Sequence, residues 1–346
     1  MEIRAFRPED LAGIVSLWNG CVEKQEVLYR PLTPAYFKEK FLDQPGTEIF
    51  VADEAGAVIG FLTGCKKTEF LPGQTEENTP AYLSAFMVAP EYRNRGVGSA
   101  LLDAFERHYA AMGKTAIAVT STCPINLDWV IPGTPGHEHN NMPGMDEACM
   151  GFDFLKKRGY AVAVREVAMY LNLAEYEKKP EVEARRAKLA EEGIAAGLYD
   201  VTQQAEFDGM CDRVGSEYWR QVLREETAKE NPRPILAAVT GGHIVGFTGP
   251  VDRQENGRGW FTGICTDPLY ERRGIAGVLF NDLMGEFIKV GATYSTLFTG
   301  TENHAQRLYL KTGFRPARYF AIRSEVPLVL LSLAVNSASE YRYALS

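Results

Sequence analysis

Two stretches of this chain place arginine and glycine where a phosphate group can be held. The first is Val88-Ala-Pro-Glu-Tyr-Arg-Asn-Arg-Gly-Val-Gly-Ser-Ala-Leu-Leu102, running from an apolar strand through a turn into an amphipathic helix. Gly96 and Gly98 can adopt backbone angles closed to other residues and carry no Cβ to hold a ligand off. The turn can therefore aim several free N–H groups at one point, at the positive end of the helix that follows, which suits phosphate oxygens. Arg93 and Arg95 add charge and forked donors. The second stretch, Thr266-Asp-Pro-Leu-Tyr-Glu-Arg-Arg-Gly-Ile-Ala-Gly-Val-Leu279, repeats the proline, tyrosine, arginine and glycine in step, 178 residues later.

Such a turn needs a strand before it and a helix after it, and both halves supply them. In the first half, Ile3–Phe6 reads as a strand. Leu11, Ile14, Val15, Leu17 and Trp18 then recur at helical spacing, and a second helix is expected over 34–42. Glu48–Asp53 and Ala57–Gly64 read as a hairpin. Ala81–Val88 feeds the turn, Ser99–Met112 leaves it as a helix, and Ala116–Thr120 is the next strand. The second half replays the order: strand 194–199, helix 202–214, a hairpin around Gly241 and Gly242, strand 260–266, helix 277–290 and strand 294–299. Order and spacing together, more than any one match, identify a tandem repeat.

Both turns resemble the acetyl-CoA-binding motif of the GNAT (GCN5-related N-acetyltransferase) superfamily, Arg/Gln-x-x-Gly-x-Gly/Ala, and the order of elements is that of a GNAT domain. The resemblance implies an α/β (α+β) protein with two such domains, each a mixed, mostly antiparallel sheet flanked by helices. The expected divisions are a first domain over 1–173, a charged helical linker over 174–193 read as a solvated surface helix, a second domain over 194–325, and a tail over 326–346. It further implies transfer of an acetyl group from acetyl-CoA to a primary amine of a small molecule or peptide. The cofactor would lie along the strand ends Phe86, Met87, Val88 and Ile264, Cys265, Thr266. It would also meet the turns Arg93, Asn94, Arg95, Gly96, Val97, Gly98, Ser99 and Arg272, Arg273, Gly274, Ile275, Ala276, Gly277. Two alternatives compete: a tandem enzyme resembling mycothiol synthase, with one active half, and a non-catalytic acyl-CoA-binding sensor or scaffold.

The halves differ where proton transfer would occur. Asn303-His-Ala-Gln-Arg-Leu-Tyr-Leu-Lys-Thr-Gly-Phe314 follows the family's helix pattern, which gives Asn303 a place beside the pantetheine and Tyr309 the role of proton donor to the departing thiolate. A phenol stays protonated at neutral pH and is ready to donate. Aligning Gly159 with Gly313 puts Cys149 and Leu155 at those positions in the first half, which then lacks the donor. The phosphate turn favours the opposite half, because Glu271 stands where the motif asks for Arg or Gln. The first half also carries 24 extra residues, at about 123–147. That length suits a functional loop: a lid over the acceptor would offer Asp128, Trp129 and His137 as contacts, and a structural loop packing against the other half is the alternative. His137 and His139 lack a third ligand nearby, so no metal is expected.

Composition bounds the rest. With 346 residues two domains are expected, and 45% apolar with 24% charged residues is ordinary for a globular protein. A net charge of −8 argues against a general nucleic-acid binder. The six scattered cysteines suggest reduced thiols in a cytoplasm. The apolar run from Val326 to Val335 is too short to span a bilayer, which takes roughly 20 residues. The expected partner is an amine substrate, with no nucleic acid or membrane, and self-association is left open.

Overall fold

The computed structural model describes residues 1–71 and 73–325. The expected tail over 326–346 lies outside them. The chain divides into two compact units: unit 1 holds residues 1–166 and the described residues from Tyr319 onward, and unit 2 holds 167–318.

Unit 1 begins with β1 (Glu2–Ala5), α1 (Leu11–Glu23) and the short α2 (Pro34–Phe37). Next come β2 (Thr47–Glu54), β3 (Ala57–Cys65), β4 (Ala81–Val88), α3 (Val97–Ala111) and β5 (Ile117–Val119). The inserted loop forms a small ribbon, β6 (Trp129–Val130) with β7 (Glu138–His139), followed by β8 (Met145–Asp146). Then come α4 (Gly151–Lys157) and β9 (Ala161–Asn172), of which residues 161–166 lie in this unit. β1 to β4 are antiparallel neighbours, whereas β4 and β5 run parallel. α1 and α2 cover one face around Ile14, Trp18, Phe37 and Phe61. α3 and α4 cover the other around Leu101, Phe105, Leu155 and Tyr160.

Unit 2 holds the rest of β9, α5 (Pro180–Glu191), β10 (Ala195–Leu198), α6 (Asp208–Val214) and α7 (Glu217–Thr227). The single helix expected over 202–214 is a 3-10 turn and then α6, because Gln204 takes a left-handed φ of 47° after the turn and Glu206 bridges His243 before α6 begins. β11 (Leu236–Thr240), β12 (His243–Thr248), β13 (Asp252–Arg253), β14 (Arg258–Trp260) and β15 (Ile264–Thr266) follow. The strand expected over 260–266 is thus two pieces, broken before β15 at Gly263, whose φ is 155°. α8 (Ile275–Lys289), β16 (Tyr294–Gly300), α9 (Gln306–Thr312) and β17 (Arg315–Glu325) complete the description. β17 passes from unit 2 into unit 1 at Tyr319 and there pairs with β5, Arg323 opposite Val119.

α5 is not a solvated helix. Its Leu189 is fully buried in the core of unit 2, and Arg186 grips both carboxylate oxygens of Asp282 on α8 at 2.6 and 2.7 Å. Among the described residues no helix is long and apolar enough to cross a membrane.

Candidate active site

In unit 1, β4 and β5 pair only at Ala81–Ile117 and Tyr82–Ala118 and then diverge. Unit 2 repeats this at the same offset: β14 meets β16 at Gly259–Ser295. The antiparallel neighbour also repeats, with Phe61–Met87 answered by Phe247–Cys265. Each unit therefore opens a gap between two parallel strands, with one strand running toward a glycine turn.

The turns match closely in backbone. Asn94 has φ of 58° and Arg272 61°, while Gly96 has 86° and Gly274 87°. These last two are the positions where glycine is required, since a left-handed residue heads each helix. Val97 and Ile275 turn their side chains into the cores, leaving backbone N–H groups at the helix heads. Arg95 lies over the Tyr92 ring at 5.7 Å, and Arg273 over Tyr270 at 5.4 Å.

Beyond the backbone the turns part company. An ideal Cβ at Gly96 would meet no atom of the described residues within 4 Å, so among them the space above it is open. At Gly274 the same atom would lie 2.8 Å from Cδ of Arg185, which α5 lays across the turn. Arg273 is also tied back, donating to Glu192 at 2.8 Å.

The reading of Arg93 as a forked phosphate ligand needs correction. Its Nε donates to the Val88 carbonyl at 2.9 Å, and its two other nitrogens bind Glu26 at 3.1 and 2.6 Å. These bonds hold the Glu26 carboxyl below its usual range. The guanidinium is a brace between the turn and the chain after α1. Unit 2 achieves a similar brace with buried Asp267, which accepts from Arg213 at 2.5–3.0 Å. Glu271 in place of arginine therefore removes no phosphate ligand, and the contrast drawn from it in sequence loses its force.

The proton-donor candidate sits in the core of unit 2. Tyr309 is 1% exposed, its ring 5.1 Å from Phe280, and burial pushes its hydroxyl pKa up. Asn303 uses its side-chain oxygen to accept from the Ala305 N–H at 2.9 Å, closing a local turn just before α9. In unit 1 the corresponding Cys149 is half-buried, its thiol pushed up to about 11 by burial.

The inserted loop is built into unit 1. Tyr29 bridges Trp129 through the backbone, and its hydroxyl donates to the Ser84 carbonyl at 3.3 Å. Ser84 is itself the unpaired residue of a bulge in β4, at the gap. Asp128 accepts from Tyr36 at 3.0 Å and from Arg30 at 3.2 Å, and Arg30 also approaches Glu138 at 3.8 Å. Burial raises the Glu138 carboxyl. Trp129 is not an available contact: it is fully buried, donates to the Asn141 carbonyl at 2.8 Å and packs edge-on against Phe320. His137 is partly exposed, and burial lowers its pKa and favours the neutral ring. Among the described residues no three His, Cys, Asp or Glu side chains cluster as a metal site.

Sequence reasoning missed three of these residues. Arg30 and Glu138 carry no motif, and only their position around Asp128 marks them. Arg185 lay in a segment whose charge pattern suggested solvent.

The acetyltransferase (GNAT) family model matches residues 14–128 and 198–314, once in each half. An acetyltransferase of Sodalis glossinidius (strain morsitans) is 32% identical over 114 residues, covering 33% of this chain and 70% of that protein. Among solved structures, a GCN5-related N-acetyltransferase from Sphaerobacter thermophilus matches with a TM-score of 0.57 at 17% identity, covering 93% of this chain and 94% of that one. A tandem GNAT protein from the clavulanic acid biosynthesis pathway matches at 0.52 and 14% identity, covering 93% and 97%. A glucosamine N-acetyltransferase region of a fungal multi-domain β-N-acetylglucosaminidase matches at 0.64 and 16% identity over 93% of this chain, which spans 38% of that larger protein. At such identities these structures establish the fold alone. The chain belongs to the GNAT acetyltransferase family and carries two GNAT domains in tandem.

Proposed function

We propose that the chain moves an acetyl group from acetyl-CoA to a primary amine of a small molecule or peptide by direct transfer, and that unit 1 holds the cofactor. The carrying observation is the open space over Gly96, at the head of α3 and beside the gap that opens past Tyr82 and Ala118. The N–H groups of Gly96, Val97, Gly98 and Ser99 would hold the pyrophosphate, with Arg95 beside them. The edge of β4 left free by β5 would pair with the pantetheine as with an added strand. Bound acetyl-CoA supplies the activated acyl group. The bulge at Ser84 leaves that residue out of the β3 register, and its N–H would stabilise charge on an acyl oxygen.

The acceptor amine would enter on the α1–α2 face, between the Leu28–Leu32 segment and the inserted ribbon. Asp128 and Glu138 together carry one negative charge more than Arg30 offsets, which favours an ammonium group there. Glu138, raised by burial, is the carboxylate we assign to take the amine's proton. The second reading, in which Tyr309 serves unit 2, needs Arg185 to move first.

Ser99→Glu and Gly277→Glu test this directly, because they put a carboxylate at matching places in the first turns of α3 and α8. A first-turn acid is compatible with helix stability but repels phosphate. Ser99→Glu is expected to weaken acetyl-CoA binding in calorimetry by roughly tenfold or more, with Gly277→Glu unchanged. The reverse pattern would move the cofactor to unit 2.

A further inference from the structure

The most unusual buried group in unit 1 is Arg323. It is 0% exposed and faces Val119 across the β17–β5 pair, at the level where β5 has just parted from β4. Paired residues send their side chains to the same face of a sheet, and Val119 packs on the α3–α4 side. The guanidinium carbon lies over the Phe152 ring of α4, 3.9 Å from its centre, and Nη1 donates to the Tyr160 carbonyl at 2.6 Å. Nε and Nη2 are both buried and have no hydrogen-bond partner among the described residues.

Those two nitrogens form the forked edge of a guanidinium, the edge that binds both oxygens of a carboxylate. The ring contact and the hydrogen bond hold the group in place before anything binds. A buried cation with two idle donors is costly unless a counter-ion completes it, and burial lowers the Arg323 pKa accordingly. Among the described residues no carboxylate bonds to it: Glu147 is paired with Arg165 at 2.7 Å, and Asp153 is exposed. Packing alone does not demand arginine here. The position matching Arg323 in the repeat is Met169, a fully buried thioether in the core of unit 2.

We propose that Arg323 is a carboxylate anchor at the closed end of the unit 1 gap, and that the ligand it completes is a carboxylate carried on the acyl group or on the acceptor. This rests on unit 1 being the half that binds the thioester. A dicarboxylic monoacyl-CoA would bring its free carboxylate through the gap between β4 and β5. An amino-acid acceptor would bring its own from the opposite face.

The test uses the full chain and compares ratios. One arm titrates malonyl-CoA, succinyl-CoA and acetyl-CoA into the wild type and Arg323→Met. The other follows thiol release with L-lysine against cadaverine, and with L-ornithine against putrescine. On one arm the wild type should prefer the carboxylate-bearing ligand by about tenfold or more, and Arg323→Met should bring that ratio close to one. Equal ratios in the wild type on both arms, or a preference that survives Arg323→Met, overturns the anchor. If Arg323→Met does not fold, the wild-type ratios and Arg323→Lys decide in the same way. Failure of acetyl-CoA to bind at all would instead sink the functional reading. In that case, free succinate raising the melting temperature of the wild type but not of Arg323→Met still supports the anchor, and no rise overturns it.

Discussion

Gly96 and Gly274 share a left-handed φ to within a degree, yet among the described residues one faces open space and the other faces the stem of Arg185. The two units are therefore alike in the part that repetition preserves, the strand–turn–helix frame, and unlike in what is laid over it. Duplication copies the local chain path, because proline, tyrosine and glycine at fixed spacing dictate it. It does not copy the element packed above the turn. In unit 2 that element is α5, a helix with no partner in the first half.

The comparison can be broken by uncovering the second turn. Arg185→Ala combined with Glu192→Gln removes the side chain over Gly274 and frees Arg273, and acetyl-CoA stoichiometry by calorimetry should rise from one to two per chain. A stoichiometry fixed at one would mean the turn is closed by more than this cover. Leu189→Ala probes the docking of α5 itself. Deleting a fully buried leucine should cost about 2–5 kcal/mol in denaturant unfolding, whereas a loss under ~0.5 kcal/mol would return α5 to the solvated linker expected from its charges.

The units should also respond oppositely to pH. In unit 2, burial alone would raise Glu226, but hydrogen bonds from Arg233 and Lys229 outweigh it and bring its pKa to about 2. A lowered carboxylate stabilises the fold above its unfolded pKa, so this contribution is lost as pH falls from about 4.5 toward 2. In unit 1, Glu166 is buried without a partner on Oε2, and burial raises it to about 8. Its contribution has the other sign, present at low pH and lost as pH rises from about 4.5 through 8. Glu166→Gln should raise the melting temperature at pH 9 and leave it unchanged at pH 4, while Glu226→Gln should lower it at pH 7 and matter little at pH 2. Equal responses at both ends of the range would refute the contrast. The smallest expected effect is that of Tyr309→Phe: with chemistry in unit 1, amine-dependent thiol release should stay within about twofold. A loss near 100-fold, the scale of a missing general acid, would hand the reaction to unit 2.

Much of the frame was legible in sequence, because strands, turns and helices leave periodic traces within a few residues of themselves. The repeat, the glycine turns and the position of the inserted loop all fall in this class. Arg93 was misread for a different reason: its partner Glu26 lies 67 residues away, and nothing local separates a brace from a ligand. Trp129 reads as a lid contact in sequence because its segment is long enough for a functional loop, yet it is buried, with Phe320 of the final strand packed against it. The α5 pattern is charged on most faces, and a single inward stripe through Leu189 was enough to dock it. In each case the deciding contact joins distant parts of the chain, and periodicity carries no record of it.

The passage of β17 into unit 1 bears on how the protein is made. Residues 319–325 are among the last described residues to be synthesised, and β5 waits for them. Until they arrive, one edge of β5 has unpaired N–H and C=O groups, an invitation to association with other chains. Unit 1 therefore cannot finish on the ribosome ahead of unit 2, as a first domain ordinarily does. A nascent chain halted near residue 318 should hold unit 1 incomplete, with neither its closing strand nor the guanidinium of Arg323.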